Sequence, residues 1–201
     1  MAIDEQGKWT QPETITQKKF TCGHQGCGRQ VASNLGWRYL SGNTLEGTIY
    51  ICPNCHRTTF FDNTYTPALQ IPGVSFGEVV YHLPKDIEEL YTEIRKSTSA
   101  GSFTASVLAC RKILMHIAVE KGAAAGKQFI FYVQYLVDNH YAPPGSKPWV
   151  DKIRQSGNEA NHEIKIMTSD DAEELINFVE MLLKFIYEFP SRIGIPAIIE
   201  H

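Results

Sequence analysis

The sequence predicts a mainly α fold, with a small N-terminal β unit stapled through cysteines followed by a bundle of four to five helices. Three observations lead there. Two close cysteine pairs lie among short runs of β-branched and aromatic residues before residue 62. Prolines and glycines punctuate the stretch that follows, and beyond Pro84 apolar residues recur at helical spacing almost to the end of the chain.

Residues 1–19 are polar, lack periodicity and contain Pro12, so they are expected to form a flexible or loosely docked leader. Residues 20–62 are expected to form the β unit. Within it, Gly47-Thr48-Ile49-Tyr50-Ile51 and Thr58-Thr59-Phe60-Phe61 carry strand-forming residues, and Gly42-Asn43 offers a turn after Trp37-Arg38-Tyr39-Leu40. Residues 63–84 hold Pro67, Pro72 and Pro84 with Gly73 and Gly77 and read as an extended connector. The bundle is expected over residues 85–190. Its first helix places Ile87, Leu90, Tyr91 and Ile94 on one stripe, and its second runs from Ser102 to Lys121 on Phe103, Val107, Cys110, Leu114 and Ile117. A third spans Lys127 to His140. A fourth starts at Pro148, and a fifth starts on the acidic Ser169-Asp170-Asp171 and ends at Pro190. Residues 191–201 remain as a C-terminal tail.

The chain has 201 residues, 43% of them hydrophobic, enough for a substantial core, and a formal net charge of -3. That charge argues weakly against a general nucleic-acid coat, so binding to RNA or DNA would need a local basic patch or a dimer cleft. The N-terminus lacks a basic segment followed by an apolar run, and no stretch approaches the roughly 20 apolar residues of a membrane span. A cytoplasmic protein without a membrane partner is expected.

In such a compartment paired cysteines favour metal over disulfides. Cys22 and Cys27 have four residues between them, Cys52 and Cys55 only two, and a hairpin-like stretch separates the pairs. Two tight turns bringing four thiolates together suit a tetrahedral zinc ion, which would be structural because no position remains for water. The expected ligands are Cys22, Cys27, Cys52 and Cys55, with His24 and His56 as alternatives beside them. Arg29, Arg38 and Arg57 with Trp37 and Tyr39 offer a basic and aromatic surface, or are solvated charges of a small domain. Cys110 lies in a helical stripe and reads as a core residue.

Polar groups interrupt the apolar pattern at Arg154-Gln155-Ser156-Gly157-Asn158-Glu159-Ala160-Asn161-His162. On a helix, Arg154, Asn158 and His162 fall at i, i+4 and i+8 and share a face that can grip a phosphate, move a proton or knit helices together.

Three segments carry a resemblance to a known family: Ala105 to Leu114, Ile153-Arg154-x-x-Gly157-Asn158-x-x-Asn161-His162, and Ser169-Asp170-Asp171-Ala172. With them the stretch from Ile71 to Pro190 resembles a family of unknown function associated with restriction and antiviral defence genes, grouped with the HEPN superfamily of helical bundles, many of whose members begin with a cysteine-rich ribbon. The resemblance implies homodimers and, in nuclease relatives, metal-independent RNA cleavage. Arg154 would then stabilise the phosphate charge and His162 exchange a proton, as the catalytic pair, while Arg111, Asn158 and Asn161 would contribute to binding. Seven residues separate Arg154 from His162, about 12 Å along an ideal helix, against about 7.5–10.5 Å for the nuclease spacing. Met115 stands where relatives commonly carry an acidic residue.

The expected function is therefore a binding module, a zinc ribbon plus HEPN-like bundle that recognises nucleic acid or a protein partner in bacterial defence or stress response. A metal-independent ribonuclease using Arg154 and His162 and a non-catalytic dimeric adaptor are the alternatives.

Overall fold

The computed structural model describes residues 8–11, 15–142, 145–146, 149–151 and 166–194. The fold is mixed α and β, which corrects the mainly α expectation. Among the described residues seven strands precede the first helix: β1 (Lys8–Thr10), β2 (Lys18–Thr21), β3 (Gln30–Ser33), β4 (Gly36–Ser41), β5 (Thr44–Ile51), β6 (Thr58–Asp62) and β7 (Leu69–Ile71). Four of these have three or four residues, too few to show a period of two, so pairing rather than pattern defines them. Two compact units emerge, one running to Ser75 and including Ser99–Gly101, the other comprising Phe76–Thr98 and the chain from Ser102 onward. Strand β1 and the buried Ile15 fall within residues 1–19, and β7 within residues 63–84.

In the first unit an antiparallel sheet has the order β1-β4-β5-β6-β7, and β2 and β3 form a separate hairpin. Gly42 closes the two-residue turn between β4 and β5 with a φ of 57°, which glycine adopts without strain. One face of the large sheet carries Tyr50 and Phe61, which pack with Phe20 and Ile15 against Cys22 and Cys52 to form a small core. Tyr50 anchors it further by donating its hydroxyl to the Thr16 carbonyl at 2.9 Å. On the opposite face Gly47 leaves a slot. A Cβ there would meet the Phe60 ring at 2.9 Å and the Trp9 indole at 3.3 Å. Trp9 uses that space to lie against both Tyr39 and Phe60, with ring centroids 5.4 and 6.1 Å away.

The second unit holds α1 (Lys85–Ser99), α2 (Phe103–Glu120), α3 (Phe129–Asp138) and α4 (Ser169–Leu183), and residues 149–151 are helical as well. Val107, Cys110, Leu114 and Ile117 of α2 are buried against α3 and α4, whose own contributions include Val133, Leu136, Ile176, Val179 and Leu182. Thr168 caps α4: its hydroxyl accepts from the Asp171 N–H, and the Asp171 carboxylate accepts in return from the Thr168 N–H. Beyond Leu183 the helix widens into a π segment, Lys184–Glu188, before a last turn, α5 (Phe189–Arg192). Pro190 has no N–H and its ring crowds the carbonyl four residues back, so a wider turn just before it relieves the clash.

Candidate metal centre

Two turns of the first unit build the centre. Cys22 follows β2 and opens a turn to Cys27, while Cys52 follows β5 and opens a turn to Cys55. In the first turn the Cys27 N–H donates to the His24 carbonyl at 3.0 Å, and the Cys22 N–H reaches the Arg29 carbonyl at 2.9 Å. In the second the His56 N–H donates to the Cys52 carbonyl at 2.9 Å, with His56 held at a φ of 59°, and the Cys52 N–H donates to the Arg57 carbonyl at 3.0 Å. The strands set the distance between the turns. The local hydrogen bonds aim the sulfurs.

The four Sγ atoms lie within 4.8 Å of one another, with Cys22 and Cys55 3.7 Å apart and Cys27 and Cys52 3.8 Å apart. A tetrahedral ion with metal–sulfur bonds of about 2.3 Å requires sulfur–sulfur edges of about 3.8 Å. The spacing fits zinc.

The surroundings suit thiolates. Backbone N–H groups of His24, Arg29 and Arg57 donate to the sulfurs of Cys22, Cys27 and Cys55, each from two residues further along the chain. Asn54 Nδ2 approaches Cys27 Sγ at 3.3 Å. The Arg57 guanidinium donates to Cys55 and, through Nη2, to the Gln25 carbonyl at 2.6 Å, tying the second turn to the first. Burial opposes ionisation at Cys22, Cys27 and Cys55. It prevails at Cys22, whose thiol is pushed up to about 12, whereas the Arg57 hydrogen bonds overcome it and hold Cys55 at about 6. Cys27 is likewise drawn below the ordinary thiol range against the effect of burial, by the Arg29 N–H and Asn54. A dication held by Cys22, Cys27, Cys52 and Cys55 would supply the charge that brings the whole set to thiolate. Four protein donors would leave a tetrahedral ion no position for a reacting water, so a metal held here would act as scaffolding.

His24 and His56 stand outside the cluster. His24 Nε2 lies 2.6 Å from the Thr58 carbonyl oxygen, an interaction that commits this nitrogen to donating to the backbone, and His56 is exposed. Trp37 and Arg38, adjacent on β4, point to opposite faces of the sheet, and Tyr39 is buried beneath Trp9. Arg29 and Arg57 flank the cage instead. The suggested basic and aromatic surface is thus split between two places.

Arg154, Asn158, Asn161 and His162 lie outside the described residues. Arg111 sits half-buried on α2 with its guanidinium over the Phe129 ring at 4.4 Å, and burial lowers its pKa. Sequence reasoning missed Trp9 as a partner of Tyr39 and Phe60. The signal available was Gly47, a glycine inside a strand pattern, which marks a close approach from another group.

Residues 92–199 match the family model described as a domain of unknown function, DUF4145. The match starts within α1 and leaves the metal centre to its N-terminal side. No curated protein and no solved structure matches the chain.

Proposed function

The chain belongs to the DUF4145 family, and from that premise we propose that it is a binding module in which a structural zinc ion shapes an N-terminal recognition unit that precedes the family's helical unit in the chain. The observation that carries this reading is the cage of Cys22, Cys27, Cys52 and Cys55, which spends every donor on holding turns together. Among the described residues the core cluster of this unit has six buried members, too few to stand without a staple. The staple's purpose is the surface it supports.

The ligand is nucleic acid or a protein partner. The resemblance of the helical segment to HEPN bundles supports a setting in bacterial defence or stress response and a homodimeric, cytoplasmic protein. The test is purification of the full chain from cells, followed by identification of bound protein and by titration with RNA and DNA. A partner or a salt-dependent nucleic-acid affinity is expected, abolished by Cys52→Ser. A chain that purifies free of both and binds neither nucleic acid even at about 50 mM salt contradicts the reading.

A further inference from the structure

The outer face of the first unit's sheet says more about the partner. Strand register sets Trp37, Ile49, Phe60 and Ile71 side by side as one row across β4, β5, β6 and β7. The next row runs from Trp9 through Tyr39 and Gly47 to Asp62 and Leu69. Ile71 is 51% exposed, Leu69 45% and Trp9 43%, and Trp37, Ile49 and Phe60 are half-buried. The face opposite already covers the small core. The opposite face gives that core only Tyr50 and Phe61 among polar neighbours, so the apolar rows are a second surface of this sheet, and an apolar sheet face is normally covered by a second layer.

Charge and shape narrow the occupant. The two rows contain no cation, and their single carboxylate, Asp62, accepts from the Thr64 N–H at 3.0 Å and the Thr64 hydroxyl at 2.6 Å. Phosphates would find no counter-charge there. Strand addition at the β7 edge is blocked, since β7 has three residues and lies between Pro67 and Pro72. Five strands, with one outward residue on β1, two on β7 and about three on the longest, make a face roughly 20 Å by 7–13 Å, at most a few hundred Å², short of the ~800 Å² per partner of a stable protein pair. It matches the apolar stripe of one helix of three to four turns, which is ~16–22 Å long. Resting on the binding-module reading, we propose that this face docks an amphipathic helix of a protein partner, through apolar residues at i, i+3, i+4 and i+7 and without ion pairs.

The test places a photo-crosslinking amino acid at position 71 of the full chain in cells, with position 29 as a control on the cage side. Crosslinked peptides are mapped, and the mapped segment is synthesised as the probe. Expected are a segment with one apolar helical stripe that becomes helical when bound, and an affinity that holds between about 0.1 and about 0.5 M salt. Ile71→Glu should weaken it about tenfold or more, while keeping the wild-type zinc content as evidence of folding. Crosslinks from position 71 to RNA or to a second copy overturn the proposal, as does probe binding indifferent to Ile71→Glu. A partner crosslinked only from position 29 overturns the helix-docking face but leaves the binding module standing. No partner and no nucleic acid at either position overturns both.

Discussion

At the scale of single residues, Arg57 links the two halves of the metal centre. Its guanidinium donates both to the Cys55 sulfur and to the Gln25 carbonyl of the opposite turn, and its backbone N–H donates to the same sulfur. Removing the side chain leaves all four ligands in place but takes away one charge-assisted donor and the tie between the turns. Arg57→Ala is expected to lower zinc affinity by about 10–100-fold, as losses around a metal's ligands commonly do, measured by competition with a chromophoric chelator. An unchanged affinity would show that the backbone N–H groups alone orient the sulfurs. The cysteines themselves were legible in the sequence, because thiol pairs on tight turns have few other uses in a chain of this kind. Arg57 was not legible in this role: an arginine after a Cys-x-x-Cys-His run has the same letters whether it points at solvent or back across the cage.

At the scale of elements, the long helices could be read and the short strands could not. Helix α2 repeats its apolar stripe over 18 residues, so Val107, Cys110, Leu114 and Ile117 declare one face many times. Strands β1 and β7 have three residues each and gain definition only from the neighbours they pair with, Leu40 through Arg38 for one and Phe60 through Asp62 for the other. The π segment was equally hidden, since Pro190 announces an end and gives no hint of the widened turn before it. That segment begins at Lys184, whose Nζ lies 2.6 Å from Glu180 and 2.8 Å from Glu78. Lys184 holds the Glu78 carboxyl below its usual pKa, first through the hydrogen bond and then through its charge. A depressed carboxylate pKa contributes stability above the unfolded pKa of about 4.3, and that contribution disappears as pH falls through the folded value. Because Glu78 is largely exposed, Glu78→Gln should cost no more than about 1 kcal/mol at pH 7 and nothing near pH 2, measured by denaturant unfolding at both pH values. An equal cost at both pH values would assign the effect to packing.

At the scale of the whole molecule, the DUF4145 match covers most of the helical unit and the four-cysteine cage belongs to the other. The mainly α reading undercounted the N-terminal sheet because it weighed residues by periodicity, and periodicity favours long helices over short strands. The account rests on the claim that this sheet unit is organised by zinc on four cysteines. Metal analysis of the purified full chain tests that claim directly. It predicts one equivalent of zinc per chain, retained in His24→Ala and His56→Ala and lost together with the β signal in Cys52→Ser. Zinc well below one equivalent in the wild-type chain, with a fold that Cys52→Ser leaves unchanged, would contradict it.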